Sequence, residues 1–140
     1  MNESINLTAV LLASVAQFIL GAIWYTPLFG RMWGKIHGFD KLKQKTQKEM
    51  QKQMMPLLIV QLLVTILTTF VLAHVLKAWP AENTYKIAFW MWLGFMLPVQ
   101  VSAVVFGGTE PRWILTKIAI MAGGALACIE AGALVLAKLQ

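Results

Sequence analysis

Apolar and polar positions divide the chain into four long hydrophobic stretches separated by polar interruptions. The stretches run roughly from Ile5 to Tyr25, Met55 to Leu76, Ile87 to Phe106 and Ile118 to Ala137. Each is about 20 residues, the length at which a helix crosses a ~30 Å hydrocarbon core. Flanking residues extend the expected helices to about 5–26, 41–78, 84–107 and 112–138. The pattern predicts an all-α membrane protein, one integral membrane domain over residues 1–140, with four transmembrane helices in an antiparallel bundle.

Composition strengthens this expectation. Of the 140 residues, 59% are hydrophobic and 13% charged, and mean hydropathy is +0.68. A water-soluble domain is about half apolar and a quarter charged, so the excess faces something other than water. The first stretch is read as a retained helix and not a signal peptide. Glu3 and no Lys or Arg precedes it, and no small-residue cleavage site follows.

The distribution of charge predicts orientation. Arg31, Lys35, Lys41, Lys43, Lys45, Lys48 and Lys52 lie between stretches one and two, and Arg112 and Lys117 lie between three and four. The opposite side carries Lys77, Lys86 and Lys138. Nine basic residues against three place both termini outside and the basic loop in the cytoplasm, as in a bacterial inner membrane. The net charge of +6 is therefore read as an orientation signal, and no nucleic-acid partner is expected.

Residues 26–54 form the long connection. Met32, Trp33, Ile36 and Phe39 give its first half an apolar side suited to the membrane interface. Asp40 is a candidate N-cap for the basic segment that follows, in which Leu42, Thr46, Met50 and Met54 share a helical stripe. The expected helix continues from there into the bilayer near Pro56. Lysines over residues 35–52 suit anionic lipid headgroups. The two remaining connections are short turns, so helices two, three and four are expected to pack consecutively.

Ionisable and polar residues inside spans are the candidate functional groups. Glu130 falls near the bilayer centre, roughly 12 Å from the outer edge at 1.5 Å per residue. A buried charged carboxylate there is costly, so a neutral donor or a paired group is expected. Gly123, Gly124, Cys128 and Gly132 supply small residues for close helix packing, which points Glu130 at protein. Pro98 lacks an N–H and frees the Gly94 carbonyl as its expected partner, with Gln17, Thr65 and Thr69 as alternatives. His74 lies nearer the outer surface, as a helix-end group or a partner of Glu130. Gln17, Gln61 and Gln100 are read as interhelical ties or as the lining of a hydrated path. The single cysteine and two separated histidines match no metal spacing, and no nucleophile–base pair or phosphate loop stands out. No cofactor and no enzymatic activity are expected.

The most specific stretch is GAIWYTPLFGRMWGK, residues 21–35. Trp24 and Tyr25 suit the interface, Pro27 ends a helix, and Phe29 and Trp33 return the chain to the membrane surface. With Asn6, Ala9, Val10, Leu11, Ala13, Phe18, Leu20, Gly21, Ala22, Leu28 and Gly30, these residues resemble the bacterial membrane proteins of domain-of-unknown-function family 1761. Trp92, Leu93, Gly94 and Phe95 echo it more weakly. The resemblance implies four membrane helices and no established activity.

Three function classes stay open: a structural or accessory membrane subunit; a homo-oligomeric transport or permeation protein using Glu130; and a lipid-binding protein or intramembrane enzyme. A homo-oligomer or a subunit of a larger membrane complex is the expected assembly.

Overall fold

The computed structural model describes residues 4–140; Glu3 lies outside them. The chain is helical: α1 Leu7–Ile23, α2 Gly30–Ile36, α3 Gln44–Met54, α4 Leu57–Ala78, α5 Thr84–Met91, α6 Leu97–Val105 and α7 Ile114–Leu139. Four helical segments are long and apolar enough to cross a membrane: Leu7–Leu28, Leu57–Ala78, Thr84–Val105 and Pro111–Leu139. Side chains start two of them. Asn6 accepts from the Ala9 N–H, and Asn83 accepts from the N–H groups of Tyr85 and Lys86. Each cap satisfies donors that a helix start leaves free.

Both prolines thought to disturb spans are accommodated by wide turns. Residues Trp24–Leu28 and Trp92–Met96 form single π-helical turns, closed by Phe29 and Leu97 N–H donating to the carbonyls of Trp24 and Trp92. Pro27 therefore sits inside a π turn and does not stop the first span, because the wider ring needs no N–H at its position. Ahead of Pro98 the helix widens one turn earlier, in the π turn that contains Gly94.

The second predicted helix, 41–78, is two helices. Pro56 cannot donate to the Lys52 carbonyl, so α3 ends at Met54 and α4 restarts at Leu57. Asp40 is not the N-cap of α3. It lies in a 3₁₀ turn, Phe39–Lys41, and the cap position is Lys43, without a side-chain bond. Gln47 does the anchoring, donating to the carbonyls of Phe39 and Leu42 at 2.9 and 3.2 Å.

Packing centres on α7. It lies most closely against α1 and also contacts α5 and α6, while α4 packs chiefly on α1. The sequence predicts that helices two, three and four pack consecutively; α5 and α6 do pack on α7, but α4 and α5 meet only at a few positions. The cause is side-chain size. Glycine and alanine on α7 let neighbours approach, whereas α4 carries its small buried residues, Thr69 and Ala73, on the side that meets α1 and large exposed apolar groups such as Leu63 and Leu67 elsewhere. Ala9, Val10, Ala13, Leu72, Ala73, Ala88, Ile129, Ala133 and Leu136 form the buried core. Outward positions such as Leu11, Val15, Ile59, Leu63 and Leu67 are exposed and apolar, as lipid-facing surface requires.

Candidate functional site

Two tryptophans clasp α7. Trp24 Nε1 donates to the Ile120 carbonyl at 2.9 Å, and Trp92 Nε1 donates to the Ala122 carbonyl at 2.8 Å. Each is the first residue of a π turn, so the bulge that relieves the proline also positions the indole. A helical carbonyl points toward the residue one turn on. At Ile120 that residue is Gly124, and a Cβ there would lie 2.9 Å from Trp24 Cδ1 and Nε1. On Gly123 a Cβ would lie 3.1 Å from Trp24 Cζ2. The two glycines make room for the ring.

Two turns further into α1, Gln17 joins three helices. Its Nε2 donates to Thr69 Oγ1 on α4 at 2.7 Å and to the Ala13 carbonyl at 3.2 Å. Thr69 Oγ1 donates onward to the Thr65 carbonyl at 2.7 Å. Gly132 of α7 abuts the same amide: a Cβ there would lie 2.5 Å from Gln17 Nε2. Cys128 Sγ donates to the Gln17 backbone carbonyl at 3.5 Å. The small-residue row Gly124, Cys128, Gly132 thus faces α1 of the same chain.

The motif after Trp24 packs on itself. Phe29 lies 4.8 Å from the Trp24 ring centroid, Tyr25 stacks edge-on to Trp33 at 4.9 Å, and Trp33 meets His37 at 4.5 Å. Gly30 fits because a Cβ there would press on the Tyr25 carbonyl at 3.0 Å. Each aromatic of the motif has an intrachain contact.

The other polar candidates separate. Glu130 is half-buried and, among the described residues, makes no hydrogen bond or ion pair. The expected bond to the Gly94 carbonyl is not made among the described residues. His74 Nδ1 instead bonds the Phe70 carbonyl of its own helix at 2.9 Å, with its ring 4.5 Å from Phe70. His74 and Glu130 are not joined. Gln100 Nε2 reaches the Met121 carbonyl at 3.5 Å while its Oε1 is buried without a partner. Gln61 is no interhelical tie; it is exposed and pairs with Thr65 one turn along.

Two hollows flank the bundle. An apolar groove of about 420 Å³ separates α4 from α5, lined by Val75, Trp79, Ile87, Trp90, Met91 and Phe95, with Glu82 and Lys86 at its rim. Neither His74 nor Glu130 lines it. At the opposite end a basic cavity of about 310 Å³ lies between the Lys35–Lys41 turn and the loop that leads into α7. This cavity escaped sequence reading, although the topology already put both turns at the same end. Among the described residues, no cluster of three His, Cys, Asp or Glu could hold a metal ion.

The chain matches the family model described as protein of unknown function (DUF1761) over residues 8–137. It belongs to the DUF1761 family. The match reaches from α1 through α7, so the clasped core and both hollows of this DUF1761 protein fall within the family unit. No curated protein and no solved structure matches the chain.

Proposed function

We propose that this DUF1761 protein is a non-catalytic structural or accessory subunit of a membrane assembly. Its four spans run antiparallel in a bacterial inner membrane, with both termini outside and the basic loop in the cytoplasm. The observation that carries this reading is that Gln17, Thr69, Trp24 and Trp92 are committed to bonds between helices of the chain itself. Side chains used this way hold a scaffold together and leave an apolar outer surface for lipid and partner helices. Lys45, Lys48 and Lys52 on α3, which packs little against the bundle, suit anionic headgroups. Extraction in polymer-bounded native membrane particles tests it: an unlike polypeptide in fixed proportion supports the accessory role.

A second reading rests on Glu130, half-buried in a span and without a partner among the described residues. A permeation pathway completed by further copies of the chain would give that carboxyl a partner. Proton or cation flux into liposomes that falls in Glu130→Gln supports it; equal flux in both forms refutes it.

A further inference from the structure

The basic cavity is built by two special turns. Among the described residues the backbone takes a positive φ at Gly38 (70°) and Gly108 (77°) alone, and both glycines line this cavity. Side-chain-bearing residues rarely adopt that conformation, so glycine fixes both walls. Gly38 turns the chain from α2 into the Phe39–Lys41 turn. Gly108 turns it from α6 toward α7.

Four cations line the space, Lys35 and Lys41 on one wall and Arg112 and Lys117 on the other. A single carboxylate, Glu110, opposes them. It takes Arg112 Nε at 2.9 Å, which leaves the terminal guanidinium nitrogens free to donate elsewhere. Lys117 is steadied by the Trp33 ring, 5.7 Å from its centroid. Thr109 also lines the cavity, and its hydroxyl oxygen is buried with no hydrogen-bond partner. The dipole of the long helix α7, which starts beside it, adds positive potential.

Cations gathered around one cavity repel one another, and an anion among them relieves that repulsion. The donor set fits one anion class well. A guanidinium, ammonium groups and a hydroxyl match the several acceptor oxygens of a phosphate. The depth fits too, because the cavity lies where the span Pro111–Leu139 begins, at the level of lipid headgroups.

We propose that this cavity binds a phosphate group, carried by the headgroup of an anionic phospholipid. The inference rests on the membrane reading of the chain and is independent of its role as an accessory subunit. Native mass spectrometry of the purified full chain in neutral detergent tests it, with short-chain phosphatidylglycerol, short-chain phosphatidylcholine and inorganic phosphate as probes. Phosphatidylglycerol is expected to bind in preference to phosphatidylcholine. Lys35→Gln/Lys41→Gln is expected to weaken it roughly 10- to 30-fold, as losing two basic contacts implies. Both lysines are exposed, so an unchanged unfolding midpoint verifies that the fold survives. The charge-matched Lys86→Gln/Lys138→Gln, both exposed and at the opposite end of the bundle from the cavity, is expected to bind as wild type. Displacement of the lipid by millimolar phosphate assigns the site to the phosphate chemistry in general; resistance to displacement assigns it to the lipid. Equal loss in both double variants, or no preference between the two lipids, overturns the proposal. The mass of the native assembly would not respond to these changes, so the two readings fail separately.

Discussion

The indole of Trp24 occupies the space that a side chain on Gly124 would take. An ideal Cβ on Gly124 lies 2.9 Å from both Cδ1 and Nε1 of the ring, and the same nitrogen bonds the Ile120 carbonyl. One added carbon therefore has to displace a rigid ring that is also a donor. Gly124→Ala is expected to destabilise by about 1–3 kcal/mol, the usual cost of overpacking. Thermal unfolding in detergent reads the loss. Gly94→Ala is the control, because nothing lies within 4 Å of its would-be Cβ, and no loss of stability is expected.

Trp24 and Trp92 make equivalent bonds to α7, two residues apart along it. Trp24→Phe and Trp92→Phe keep the ring and remove the donor. Each is expected to cost about 1 kcal/mol, as for other interhelical hydrogen bonds in membranes. The carbonyls retain their place in the α7 ladder, so a larger penalty for an orphaned acceptor is not expected. A loss confined to one of the two would show that the clasp is one-sided.

Gln17 and Thr69 offer a direct measure of how α1 holds α4. A double-mutant cycle with Gln17→Leu and Thr69→Val is expected to give a coupling of about 0.6–1.7 kcal/mol. Gly132→Ala, which crowds the same amide, should lower that coupling because the Gln17 side chain must move. Strict additivity of Gln17→Leu and Thr69→Val would contradict the geometry.

Among the described residues Glu130 makes no hydrogen bond or ion pair. Glu130→Gln is expected to shift the unfolding free energy by no more than about 0.5 kcal/mol, the range of substitutions away from specific contacts. A large drop in stability would show that the carboxyl has a partner in the assembled protein.

The spans were readable because each carries an uninterrupted run of apolar residues, and lipid imposes few other solutions. The breaks were less readable. Pro27 and Pro98 announced disturbance, but a proline does not say whether the chain stops, kinks or widens. The indole bonds of Trp24 and Trp92 depend on where α7 places its carbonyls, which is tertiary information. Glycine rows on α7 signalled close packing, yet spacing alone could not choose between a second copy and α1. Gln17 was one of three glutamines of similar appearance in sequence. It is buried and cross-linked because Gly132 and Thr69 face it, whereas Gln61 lies on the large-residue surface of α4. The basic cavity needed two distant loops to meet, and no local pattern encodes that.

The central functional claim concerns what surrounds the bundle. Its most direct test is the mass of the intact assembly released from polymer-extracted native membrane particles. The accessory-subunit account expects the 15.6 kDa chain together with an unlike polypeptide at fixed stoichiometry. Masses that are only whole multiples of this chain, with flux that depends on Glu130, would contradict it.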